Sequence, residues 1–211
     1  DIFKSLRFGA LPTQKSYNHF SKRKIDNQDR IFNFIKPNKE YQLGSAIGLT
    51  DKSLNPSNVV LDSFVKLHKT ISFLIIRNDT ILYEKYNDKY TDTTLVSSFS
   101  MVKPMITTLI GIAISEGLIK SVDDSMVNYL SEYKNNVGFE KITIKNLLQH
   151  TSGIKFTDQK FNLASDNAEF YWGNDLRKEM KELSLKTAPN VAFHYSSANT
   201  QLLALIIERV T

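Results

Sequence analysis

The segment Ser97-Ser98-Phe99-Ser100-Met101-Val102-Lys103-Pro104 sets a serine three residues ahead of a lysine. Those two groups could carry out acyl transfer. A serine hydroxyl attacks an acyl carbon only when another group takes its proton, and a lysine takes it only while neutral. An unperturbed lysine is neutral in roughly one molecule in 2,500 at pH 7, so an exposed pair is inert. Bringing the amine to a pKa near 7 or 8 requires about 3 to 5 kcal/mol from burial and positive neighbours. Spacing alone selects nothing, because the pattern occurs five times: Ser21/Lys24, Ser63/Lys66, Ser100/Lys103, Ser131/Lys134 and Ser152/Lys155.

Setting separates them. Ser21 lies in a basic run, Ser131 beside Glu132 and two asparagines, Ser152 ahead of Gly153, and Ser63 on an amphipathic helix. Ser100 follows Leu95, Val96 and Phe99 and precedes the most apolar stretch of the chain, Met105 to Ile114. At the first turn of that helix its N–H is one of the unpaired donors and can form half of an oxyanion hole. The positive end of the helix dipole favours an alkoxide and disfavours an ammonium. A spacing of three puts Ser100 and Lys103 on one face, and Pro104 requires the helix to start close to it.

The elements that must hold this pair read as follows. Residues 1 to 54 form a basic, irregular N-terminal extension with scattered aromatics, and residues 55 to 211 form the folded domain. Within that domain, 55 to 90 read as a helix and a hairpin and 91 to 211 as mainly helical. Asn55-Pro56 caps a helix through Val60, Leu61, Phe64, Leu67 and His68. The β-rich runs Ile71–Arg77 and Ile81–Tyr86 flank Asn78-Asp79-Thr80 as a hairpin. Gly117 ends the apolar helix, and Thr143 caps a short helix through Leu148 that closes at Thr151-Ser152-Gly153. Ala198, Leu202, Leu205, Ile206 and Arg209 stripe a last helix. Two strands make a marginal sheet, so further strands are expected beyond Thr211.

At 211 residues and 41% hydrophobic content the chain can build a core. Met105 to Ile114 is far short of the roughly 20 residues a membrane span needs. The net charge of +5 resides in residues 1 to 40, which carry nine Lys/Arg against four acids. A solvated arm is the simplest account, and no nucleic-acid partner is expected. Zero cysteines exclude disulfides, and four histidines without paired spacing predict no metal site and no cofactor. The expected location is extracytoplasmic, after removal of a leader, with the cytoplasm as the alternative. Oligomeric state is not encoded in any pattern seen here.

Four segments, SFSMVKPMITTLIGIAISEGLI, SVDDSMVNYL, ITIKNLLQHTSGI and FHYSSANTQLLALIIERVT, resemble the serine β-lactamase and penicillin-binding protein superfamily in its order. The likeness is to the esterase-like branch with class C β-lactamases, DD-peptidases and 6-aminohexanoate-dimer hydrolases. It implies an α+β fold of the β-lactamase/transpeptidase type, an antiparallel sheet flanked by helices plus a mainly helical subdomain. The chain then reads as an N-terminal fragment whose later strands, with a Lys-Thr-Gly-like or His-x-Gly-like motif, lie downstream. The resemblance implies Ser100 as nucleophile, Lys103 as its lysine and Tyr195 as the tyrosine of a Tyr-x-Asn motif that here reads Tyr195-Ser196-Ser197. Tyr133-Lys134-Asn135 matches formally but precedes the TSG block and is set aside. Ser197 departs from asparagine and is expected to bind substrate, as are Tyr171 and Trp172 between the motifs. His150 and Ser152, in the TSG block, are expected to be structural.

The implied activity is hydrolysis of a small ester or amide substrate through an acyl-enzyme. A phenol and an amine with similar reference pKa values can share a proton, so either Lys103 or Tyr195 can be the first base. The alternatives are a β-lactamase or DD-peptidase, or a non-catalytic penicillin-binding-like module.

Overall fold

Asn78 and Asp79 take φ of +49° and +57°, the left-handed pair that a tight two-residue hairpin turn demands and that short polar side chains tolerate. They join β3, Ser72–Arg77, to β4, Thr80–Tyr86, antiparallel from Ser72↔Tyr86 to Arg77↔Thr80 with an irregularity at Ile75/Ile76. The predicted hairpin is therefore present. In this computed structural model the described residues are 4, 7–9, 12–26, 31–39, 41–50, 58–87, 89–158 and 165–211. A second sheet, unseen in the sequence, pairs β1, Gly48–Thr50, with β2, Asn58–Val60.

The chain divides into two compact units, Ser21–Val96 and Asp1–Phe20 with Ser97–Thr211. The first holds both sheets and the helices α1, Leu43–Ala46, and α2, Leu61–Leu67. Its core is Leu61, Val65 and Tyr83, with Leu43, Ile47 and Phe73 among the side chains packed around them. The expected cap Asn55-Pro56 lies outside the described residues. Val60 is extended at the entry to α2 and belongs to a strand, so this helix starts later than its apolar spacing predicted.

The second unit carries α3, Val102–Ser115, α4, Ile144–Leu148, α5, Asp166–Trp172, α6, Leu176–Lys181, and α7, Ser197–Val210. Gly117 ends α3 at φ +75°, with Leu118 N–H reaching back to the Ala113 carbonyl, as the apolar pattern followed by glycine predicted. Thr143 and Asn146 close a reciprocal capping box on α4. Ile110 and Ala113 of α3 and Ala198, Leu202 and Ile206 of α7 bury together in one cluster with Phe139, Ile144 and Leu147. The other side of α3 is open in this chain, with Met105 58% and Ile112 45% exposed. Among the described residues no helix is long and apolar enough to cross a membrane.

Candidate active site

Ser100 sits in a single 3-10 turn, Phe99–Met101, that feeds directly into α3. Phe99, just before it, holds φ +48°, a left-handed conformation that an aromatic residue adopts only under constraint and that turns the chain sharply at the serine. Pro104 falls in the first turn of α3, where its missing N–H costs nothing. The segment in front is fixed from the N-terminal side: Ser97 N–H donates to the Gln14 carbonyl at 2.9 Å, and Tyr17 N–H donates to Ser97 Oγ at 3.3 Å.

Lys103 Nζ lies 3.4 Å from Ser100 Oγ and donates to Ser197 Oγ at 3.3 Å. Ser197 opens α7, so the packing of α7 on α3 brings together groups 94 residues apart. Ser197 Oγ in turn donates to Asp158, 3.2 Å from the nearer carboxylate oxygen. The amine is half-buried and lies 5.0 Å from the centroid of the Tyr195 ring. No hydrogen bond joins the Tyr195 hydroxyl to Ser100 or Lys103 among the described residues; it is the face of the phenol ring that meets the amine. Ser100 is exposed, and Tyr195 is 41% exposed, so both are open to a ligand.

The competing patterns find no such setting. Ser152 is buried and its hydroxyl donates to Asn199 Oδ1 at 2.7 Å. Tyr133 of the formal Tyr-x-Asn match is 2% exposed and stacks on Phe139; burial pushes its phenol up to about 12. Of the two aromatics expected at the cleft, Trp172 is 3% exposed beneath Phe8 and Phe20, whereas Tyr171 is half-buried against Phe20 and keeps some surface to offer. Among the described residues no three His, Cys, Asp or Glu side chains converge as metal ligands would.

Two residues outside the expected catalytic set touch this group. Asp158 has no periodic or motif signal, and its partner Ser197 is 39 residues away. His150 was visible in the HTSG stretch but read as structural, and its ring stacks on Tyr195 with centroids 4.8 Å apart and planes at 28°.

Solved structures of similar fold include a protein from Bacillus anthracis assigned as a 6-aminohexanoate-dimer hydrolase, at 20% identity and TM-score 0.68, over 86% of this chain and 49% of that one. A protein from Bacteroides dorei DSM 17855 assigned as a beta-lactamase aligns at 22% identity and TM-score 0.55, over 71% of this chain and 45% of its own. A class C beta-lactamase in complex with cefoxitin aligns at 20% identity and TM-score 0.53, over 71% and 42%. The chain thus spans about half the length of these structures, and at such identities the likeness is one of fold. Among curated proteins none matches significantly. The Beta-lactamase family model matches residues 64–211, a stretch that takes in Ser100, Lys103 and the Tyr195-Ser196-Ser197 motif, and on that match the chain belongs to the Beta-lactamase family.

Proposed function

We propose that this chain carries the nucleophile half of a serine hydrolase that cleaves a small ester or amide through an acyl-enzyme on Ser100. The observation that supports it is the placing of one half-buried amine, Lys103 Nζ, against Ser100 Oγ, Ser197 Oγ and the Tyr195 ring, drawn from two helices far apart in sequence and the segments that lead into them. Ser197 has one hydroxyl proton, and Asp158, an acceptor when ionised, receives it. The lone pairs of Ser197 Oγ then face Lys103, so an N–H of the amine points at Ser197. In the neutral amine this arrangement leaves the nitrogen lone pair for the Ser100 hydroxyl.

The proposed sequence is short. Lys103 Nζ accepts the Ser100 proton as Oγ bonds to the substrate carbonyl carbon, giving a tetrahedral oxyanion that the Ser100 N–H at the start of α3 helps to hold. The carbon–oxygen or carbon–nitrogen bond to the leaving group breaks as a proton passes to that group by way of Tyr195. Water then attacks the acyl carbon and gives up a proton to Lys103, the bond from the acyl carbon to Ser100 Oγ breaks, and that proton passes to Oγ. Contacts of 3.3–3.4 Å are at the long end of hydrogen bonding, as is common before substrate binds.

Mass spectrometry after treatment with a fluorophosphonate tests the reading. An adduct on Ser100, absent in Ser100→Ala, is expected; folded protein that takes no adduct overturns it. Turnover of a p-nitrophenyl ester against nitrocefin separates ester hydrolysis from β-lactam hydrolysis.

A further inference from the structure

His150 ends the α4 region with φ +57°, a left-handed backbone that a non-glycine residue holds only where its surroundings impose it. Its carbonyl accepts the His194 N–H at 2.8 Å, and its Nδ1 accepts the Ser196 N–H at 3.2 Å. With its ring stacked on Tyr195, one residue grips the backbone on both sides of Tyr195 and one face of the phenol. A backbone N–H can only donate, so Nδ1 is unprotonated and the neutral ring carries its proton on Nε2. Asn199 Nδ2 lies 3.3 Å from the same Nδ1. The Ser152 hydroxyl, donating to Asn199 Oδ1, turns that amide so that its NH2 faces the ring. Ser152 and Asn199 are both buried.

We propose that His150 is a positioning residue for Tyr195 that works only as the neutral Nε2–H tautomer, and that its protonation releases Tyr195 and shuts the site down in acid. A proton on Nδ1 would confront two N–H donors and remove the acceptor that holds Ser196. The inference rests on the role given to Tyr195 above. The titratable groups acting on the ring are Tyr195, stacked on it, and Lys103, Asp158 and His194, which act through their charge. Burial first, then the Lys103 charge and His194, hold the imidazole pKa below 6.5, while Asp158 opposes them. A lowered folded pKa means that the neutral clamp stands above pH 6.5 and is lost as pH falls through the lowered value.

The experiment has two arms on the full chain. Nitrogen-15 NMR of histidine-labelled protein is expected to show His150 as the Nε2–H tautomer at pH 7.5, with Tyr195 ring resonances moving as His150 titrates below pH 6.5. Protonation of Nδ1 at pH 7.5, or a Tyr195 ring indifferent to that titration, overturns the proposal. In the second arm the fluorophosphonate labelling rate of Ser100 is followed against pH. A single base gives a first-order fall in acid, and His150 is expected to steepen it to second order. His150→Phe, which keeps a ring without the acceptor, and His150→Asn, which keeps an acceptor without the ring, are expected to label between about tenfold and 100-fold more slowly with first-order dependence. Variants that retain the wild-type rate and steepness overturn it. If wild type takes no label while the NMR arm behaves as expected, the hydrolase reading fails and the positioning of Tyr195 by His150 stands.

Discussion

The polarity of one hydroxyl decides what Lys103 can do. Ser197 Oγ bridges Lys103 Nζ at 3.3 Å and Asp158 at 3.2 Å, and its single proton can satisfy only one of them. With a carboxylate on the far side the proton goes to Asp158, and the amine must donate to Ser197. Asp158→Asn offers an NH2 that can donate instead, which would reverse the hydrogen bond and turn the lysine lone pair toward Ser197 and away from Ser100. We expect Asp158→Asn and Ser197→Ala each to slow fluorophosphonate labelling of Ser100 by about tenfold or more, against about 10² to 10⁴ for Lys103→Ala. Because both small effects act through one bond, the double variant should label no more slowly than the worse single one. Additive losses would show that Asp158 acts on something else. The Ser100/Lys103 pair was legible from sequence because both partners lie on one helical turn. Asp158 was not, because its meaning depends on where α7 begins in space, which no local pattern specifies.

The elements show the same division between local and distant causes. Gly117, the Thr143 cap and the Asn78-Asp79 turn were readable because each is determined by residues within a few positions of itself. The β1/β2 pair was not, since strands of three residues carry too few side chains to display an alternation. Gly153 joins both cases. Its φ of +75° favours glycine, as a turn after α4 suggested, but a Cβ there would also collide with the Thr187 carbonyl oxygen, a neighbour from a distant loop. Gly117 has the same φ with open space around it. Gly117→Ala should therefore cost about 1 to 2 kcal/mol, from the backbone conformation alone. Gly153→Ala should cost more, because backbone must move, and should also slow Ser100 labelling, since Gly153 N–H and carbonyl belong to the turn that carries His150 and Ser152. Urea midpoints with unchanged slopes would test the order. Equal costs would mean that the Thr187 loop yields freely and has no part in fixing that turn.

At the scale of the molecule, two hydrophobic cores coexist without a shared residue, one around Leu61, Val65 and Tyr83 and the other around Ile110, Leu147, Leu202 and Ile206. Family membership and an α+β fold were accessible from the order of four segments, but this partition was not: residues 1–20 group with 97–211, whereas 21–96 form the smaller unit. The reason is physical. Phe8 and Phe20 are unremarkable aromatics in a basic stretch until Trp172, more than 150 positions later, supplies the surface that buries against them. Among the described residues the smaller unit buries three apolar side chains, Leu61, Val65 and Tyr83, which is little against the entropy of ordering its chain, so it should be the first to open. Trp172 is the single tryptophan and lies in the larger unit, so its fluorescence reports that unit alone. Leu61, 2% exposed, and Ile206, fully buried, each should cost about 2 to 5 kcal/mol when truncated to alanine. Ile206→Ala is expected to lower the urea midpoint seen by Trp172 fluorescence. Leu61→Ala is expected to leave that midpoint in place while bringing forward an early loss of far-ultraviolet circular dichroism. If Leu61→Ala moves the Trp172 transition as far as Ile206→Ala does, the two cores unfold as one cooperative body, and the separation of their contacts has no thermodynamic counterpart.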